Sequence, residues 1–268
     1  MIEKYKNWLV KDNLAPNTVD SYVWTLSDFF QRYGSQITKK LLLEYKGYLL
    51  EHFKPQTVNL RLQALNRYLD FTKRGHLKLK FLKVQQKNFL ENVISNADYK
   101  FLKNILKQDG ITDWYFVVWF LGATGARVSE LVQLKVEHIE IGHFDLYTKG
   151  GKIRRLYIPK KLQTATMLWI KDIGRDSGYL FLNRFGDKIT PRGISQQLKS
   201  FAKKYGLNSK VVYPHSFRHL YAKNFLNKFN DIALLADLMG HESIETTRIY
   251  LRRTASEQRK IVDKVITW

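Results

Sequence analysis

The sequence predicts a mainly α protein in two domains: a helical N-terminal domain, and a mixed α/β C-terminal domain with a small antiparallel sheet. Three observations carry this. Apolar residues recur at helical spacing through the first 74 residues. The period then switches to alternation over residues 144–158, around Gly150-Gly151. Helical spacing returns beyond it, punctuated by glycine and proline. A chain of 268 residues, 44% of them hydrophobic, suits two domains of ordinary size with buried cores.

In the first part, Tyr22, Leu26, Phe29, Phe30 and Tyr33 fall on one helical face. Pro16 sits just ahead, where a helix start tolerates it, and Gly34 ends the run. Leu41 to Leu50 predicts a second helix. Gln56 to Thr72 predicts another, with Val58, Leu62, Leu65 and Leu69 in register and Pro55 between the two. We read a four-helix domain over residues 1–74. Residues 75–92 break the periodicity and carry Lys78, Lys80, Lys83 and Lys87 with no acid before Glu91, which reads as a basic linker. Residues 93–268 form the second domain. Helices are expected at 97–108, 114–121 and 127–134, then a hairpin of strands 144–148 and 153–158 closed by Pro159. The rest reads as helices broken near 174–178, Gly186, Pro191, Tyr213-Pro214 and Gly240.

The net charge of +21 predicts a polyanionic partner, most simply nucleic acid. A basic membrane-surface protein is the rival, but no long amphipathic or apolar anchor is visible, and Trp114 to Leu121 is far too short to span a bilayer. There are no cysteines, so disulfides and thiolate zinc sites are excluded. With no apolar run suited to a signal peptide, a cytoplasmic location is expected.

Several polar residues form a pattern suited to attack on a phosphodiester. Such a reaction needs cations on the non-bridging oxygens, a nucleophile, and a proton for the leaving oxygen. Arginine serves the first need because its planar fork matches two phosphate oxygens. Arg127 follows Gly125 at a helix start, and Glu130, three residues on, could equally make it a surface ion pair. Lys149 and Lys152 lie on the hairpin turn, where a mobile lysine could deliver a proton. His215 and Arg218 share the start of one helix after Pro214 and face the same side. His219 is one turn beyond His215, a spacing that could instead hold zinc, although no third ligand has suitable spacing. His241 follows Gly240 and could simply cap a helix. Tyr250 is one of fifteen tyrosines. A tyrosine is an apt nucleophile for a reversible cut, since a phenol with pKa about 10 leaves phosphorus more readily than an alkoxide.

The order of these residues resembles the tyrosine recombinase (phage integrase) family. The resemblance rests on Ala126-Arg127-Val128-Ser129-Glu130-Leu131, Lys149-Gly150-Gly151-Lys152, His215-Ser216-Phe217-Arg218-His219, Gly240-His241 and Thr246-Thr247-Arg248-Ile249-Tyr250. Asn17-Thr18 and Gln56-Thr57-Val58 look like helix starts of the family's core-binding domain. Thr148 for a glycine, Phe217 for a leucine and Met239 for a leucine are mild departures; Leu251-Arg252-Arg253 blurs the subfamily between Xer-like and simple transposon integrases. The resemblance implies that residues 1–74 are a DNA-clamping domain and 93–268 the catalytic one. It implies that Tyr250 attacks the scissile phosphate to give a 3′-phosphotyrosyl bond, and that Arg127, Arg218 and His241 stabilise the transition state. His215 would act as acid and base, and Lys149, rather than Lys152, would protonate the 5′-oxygen. Glu130 and His219 would support them. No metal or cofactor is implied. The expected partners are double-stranded DNA and three further copies of the chain, a homo-tetramer on two DNA sites. The apolar face of Ile261, Val262, Val265, Ile266 and Trp268 would dock on a neighbouring copy or pack back on its own domain. Rival readings are a type IB topoisomerase, a non-catalytic DNA-binding protein of the same fold, and a zinc hydrolase built on His215 and His219.

Overall fold

A computed structural model of the chain describes residues 1–84, 92–147, 153–241, 243–251, 259 and 262–266. The chain divides into two compact units, Met1–Gln86 and Lys87–Trp268. The described part is mostly helical, with a single two-stranded antiparallel sheet among the described residues.

The first unit holds four helices: α1 (Ile2–Lys11), α2 (Pro16–Tyr33), α3 (Lys39–His52) and α4 (Pro55–Phe71). The sequence reading did not delimit α1. Pro16 and Pro55 open their helices, where a missing N–H costs nothing. Thr38 caps α3 by accepting from the Leu41 N–H. One apolar core joins all four helices, through Tyr5, Leu26, Phe29, Tyr45, Leu62 and Tyr68 among others. Residues 75–84 do more than link. Asn66 and Asn59 each exchange two hydrogen bonds with the backbone, of Leu79 and Leu82 respectively, at 2.8–3.0 Å. Lys39 and Lys46 donate to the carbonyls of Leu77, Lys78 and Lys80. Leu79 is buried in the core, so the first half of the basic stretch is strapped across α3 and α4.

The second unit begins with α5 (Asn96–Gln108), capped by Ser95, and α6 (Thr112–Thr124). Buried residues surround α6, including Phe116, Val117, Val118, Phe120 and Leu121, which makes it the central helix of this core. The helix expected at 127–134 is shorter, α7 (Val128–Leu131), and a second short helix that was not expected follows it, α8 (Val136–Ile141). The reason is backbone competition. Val136 N–H donates to Gly178 O at 2.9 Å and Leu180 N–H to Leu134 O at 2.8 Å, so Lys135 pairs with Tyr179 and the chain leaves the helix between Leu131 and Val136.

Strands β1 (His143–Tyr147) and β2 (Ile153–Tyr157) follow, paired from His143↔Tyr157 to Tyr147↔Ile153. Arg155 and Asp145 hold the register with two bonds of 2.7 Å. The turn between the strands, which carries Lys149 and Lys152, lies outside the described residues. The remaining helices are α9 (Lys160–Asp172), α10 (Pro191–Lys204), α11 (Pro214–Lys228), α12 (Ile232–Met239) and α13 (Ile244–Arg248). A 3₁₀ turn, Ile249–Leu251, continues α13. A second, smaller apolar cluster joins Ala222, Leu226, Leu235, Met239 and Tyr250. It seats the last described helices against α11.

Candidate active site

The site is built on three helix ends. Gly125 ends α6 in the left-handed conformation, φ +62°. A Cβ there would lie 2.4 Å from the Tyr221 ring, so only glycine lets the chain turn this tightly into Arg127. Arg127 then precedes α7 with extended backbone. Glu130 folds back onto it: Oε2 accepts from the Arg127 backbone N–H and Oε1 from its Nη1, both at 2.7 Å. Oε1 also accepts from Arg154 Nη1 at 2.6 Å.

The second end is the start of α11. Pro214 begins the helix; His215 stays exposed, whereas Arg218 and His219 turn inward, Arg218 being 1% exposed. On the opposite face Phe217 enters the core and Ser216 accepts from Ile94 N–H at 2.7 Å, which fixes the helix rotation.

The third is the C-terminal end of α12. Gly240, φ +61°, turns the chain and leaves the last carbonyls open. Three successive carbonyls accept from three different arginines. Leu238 O takes Arg154 Nε at 2.9 Å, Met239 O takes Arg218 Nη2 at 2.7 Å, and Gly240 O takes Arg127 Nη2 at 3.2 Å. The negative end of a helix dipole suits this role. Arg218 Nη1 also donates to Gly125 O at 2.6 Å, so one guanidinium ties the end of α6 to the end of α12.

Charge here is unbalanced. Two guanidinium groups, Arg127 and Arg154, share one carboxylate, Glu130, and the third, Arg218, has none among its hydrogen-bond partners. Burial, then the charges of Arg127 and Arg154, push the Arg218 pKa down to about 10. Burial pulls the Glu130 carboxyl upward, yet Arg154's charge and the bonds from Arg127 and Arg154 hold it below the usual carboxylate range. Such a cluster lacks an anion.

Tyr250 stands beside it, 5% exposed in the smaller apolar cluster. Its ring centroid is 5.4 Å from that of His219 and 6.3 Å from that of His241. The His215 and His219 rings meet edge to face at 4.6 Å. Burial raises the Tyr250 phenol above its ordinary value, while the charge of Arg218 and a hydrogen bond from it work against the rise. Loss of surrounding water and the charges of Arg218 and Arg127 lower His215. Burial and neighbouring cations drive His219 and His241 to about 4. His241 Nε2 lies 3.0 Å from Arg218 Nη2, which can only donate, so His241 is neutral with its proton on Nδ1, 2.7 Å from Thr247 Oγ1. In this state it is an acceptor; donating to a phosphate requires it to exchange Arg218 for the phosphate and gain or move a proton.

Of the residues singled out in the sequence, Arg127, Glu130, His215, Arg218, His219, His241 and Tyr250 thus come together in one region of the second unit; Lys149 lies outside the described residues. Among the described residues no cluster of three or more histidines, aspartates and glutamates could hold a metal ion. The sequence reading missed Arg154. Its signal was parity: Arg154 alternates with Leu156 on the buried face of β2, while Ile153, Arg155 and Tyr157 face out.

Known proteins resemble this chain in sequence and in fold. The model of the phage integrase family matches residues 87–257. Tyrosine recombinase XerA of Pyrococcus furiosus is 30% identical, over 98% of this chain and 93% of that protein. Tyrosine recombinase XerC of Salmonella typhi is 31% identical over 73% and 69% of the two chains. Among solved structures, a Tn1549 transposon integrase in complex with circular intermediate DNA superposes with a TM-score of 0.72 at 18% identity, covering 97% of this chain and 98% of that one. A lambda integrase dimer bound to a core site gives 0.73 at 16% identity, over 100% and 77%.

Proposed function

The chain belongs to the phage integrase family and is a tyrosine site-specific recombinase, and from that premise we propose how its residues cut and rejoin double-stranded DNA. The scissile phosphate sits against the outer edges of Arg127 and Arg218, the missing anion of the cluster. Tyr250 attacks phosphorus; a phosphotyrosyl bond to the 3′ end forms as the bond to the 5′-oxygen breaks. A phenol raised by burial holds its proton near neutrality, so attack needs an acceptor. His215, kept neutral by desolvation and then by the charges of Arg218 and Arg127, is that acceptor. Lys149 returns a proton to the leaving 5′-oxygen. His241 adds a bond to a non-bridging oxygen once Arg218 releases it. Glu130 orients Arg127, and His219, whose ring meets those of both His215 and Tyr250, supports them. The 5′-hydroxyl of a partner duplex then attacks the phosphotyrosine and restores the phosphodiester, so bond energy is conserved and no nucleotide cofactor is required.

Strand exchange between two duplexes calls for four active centres, and we take the working assembly to be a homo-tetramer on two sites, in the cytoplasm. Residues 1–74 clamp the DNA together with the catalytic domain, 93–268, joined by the basic residues 75–92. The tail supports exchange between copies: Val262, Val265 and Ile266 are each about half exposed, an apolar face left uncovered.

The observation that carries this reading is the buried, anion-deficient Arg218 beside the Tyr250 phenol. Incubation with a nicked suicide duplex from the flanks of the native gene, in excess EDTA, tests it. The wild-type chain should form a gel-stable covalent adduct, and Tyr250→Phe should bind DNA without forming one. An adduct from Tyr250→Phe, or activity that vanishes in EDTA and returns with zinc, overturns the assignment.

A further inference from the structure

Arg154 is an arginine on the inner face of a two-stranded sheet, 6% exposed, where alternation calls for an apolar side chain. Its partners are few and specific. Nη1 donates to Glu130 Oε1, the same oxygen that receives Arg127 Nη1. Nε donates to Leu238 O, next to the carbonyls that hold Arg218 and Arg127. Its stem packs against the turn of α12: a Cβ on Gly240 would come within 2.3 Å of Arg154 Cδ. Nη2 is buried with no acceptor among the described residues.

A buried donor without an acceptor destabilises the fold. An apolar side chain of similar volume often stabilises such a position better than an ion pair does. The guanidinium is therefore poorly explained by stability alone, and its geometry points elsewhere. Like Arg127 itself, it touches both Glu130, which orients Arg127, and the α12 carbonyl row, which orients Arg127 and Arg218.

We propose that Arg154 is a positioning residue for cleavage, fixing the Glu130 carboxylate and the α12 end so that Arg127 and Arg218 meet the scissile phosphate together. This rests on the reading of those two arginines as phosphate ligands. Arg154 does not touch the phosphate. It removes the freedom of Glu130 to swing, and it keeps Leu238, and so Met239 and Gly240, at the height the other guanidinium groups need. Lysine cannot replace it: a single ammonium can pair with Glu130 but lacks the fork that reaches Leu238 O as well.

The test is single-turnover cleavage of the nicked suicide duplex at saturating protein, alongside the affinity for one site. Arg154→Ala should cleave about a hundredfold slower, the scale of losing a transition-state contact, and Arg154→Lys about tenfold slower. Both should keep affinity within about threefold, because groups that act on the transition state leave ground-state binding alone. The Glu130→Ala, Arg154→Ala double variant should be slowed by clearly less than the product of the two single defects, since part of the Arg154 effect passes through Glu130. If Arg154→Ala does not fold, Arg154→Lys decides. Cleavage by Arg154→Lys at the wild-type rate overturns the proposal. So does loss of affinity in step with loss of rate, which would mark a merely structural residue, or multiplicative defects in the double variant. A wild-type chain that forms no adduct would instead count against the residue roles on which the proposal rests.

Discussion

His219 and His241 show at the level of single residues what it takes to keep a cationic site intact. Both hold their neutral form down to about pH 4, first because of burial and then because of cations nearby. In the unfolded chain each titrates near the ordinary value of 6.5. Between those values the unfolded chain binds more protons, so stability rises with pH across that window and is lost as pH falls through it. Thermal melts from pH 7 to 4 should show the midpoint dropping steadily below about 6.5, and His219→Gln should flatten that limb. A midpoint indifferent to pH in this range would contradict the buried, neutral histidines. That most of these residues belong to one group was legible beforehand, because Arg127, His215-x-x-Arg218, Gly240-His241 and Tyr250 carry it in their identity and order. The acceptor state of His241 was not legible, since it follows from a distance to Arg218 that no spacing encodes. Arg154 was hidden for a related reason: in the sequence it stands beside Arg155, which faces solvent and pairs with Asp145, and nothing but parity separates the two.

Among elements, the end of α12 is the most constrained. Gly174 and Gly240 both have φ near +60°, but a Cβ at Gly174 meets nothing within 4 Å, whereas one at Gly240 meets Arg154. Gly174→Ala should therefore cost only the left-handed strain, about 1–2 kcal/mol, and leave cleavage intact. Gly240→Ala should cost more than this in denaturant unfolding and also slow cleavage at least about tenfold, because displacement of Arg154 disturbs the carbonyl row. Equal cleavage rates for the two variants would show that the row tolerates displacement. Most long helices could be read from the sequence, since their apolar faces run over three turns or more. The early end of α7 and the separate α8 could not, because backbone pairing with residues 178–180 overrides local helical preference. The strapping of residues 75–84 escaped for a similar reason: the lysines read as solvated, while Asn59 and Asn66, one helix away, supply the bonds.

For the molecule as a whole, the charge of +21 sets how it meets DNA. A footprint of roughly six to ten phosphates should lose about three to five decades of affinity between 50 and 200 mM salt. A shallow salt slope would mean that few of the basic residues reach the backbone. The uncovered tail bears on assembly. Removing residues 258–268 should leave single-site binding near normal and abolish cooperative pairing of two sites, read by gel shift on a two-site duplex. Unchanged cooperativity would place the tail on its own domain. The carbonyl row at the end of α12 matters at this scale too, through disorder rather than charge. A free arginine side chain carries about 2 kcal/mol of rotamer entropy. Arg127, Arg154 and Arg218 converge on Leu238, Met239 and Gly240, so they give up most of that freedom when the chain folds, before any ligand arrives. In the proposed reaction, an arriving phosphate then meets guanidinium groups that are already still. The mobile surface lysines can gather DNA quickly and loosely, while the step that selects one phosphate for cutting requires little further ordering of the protein.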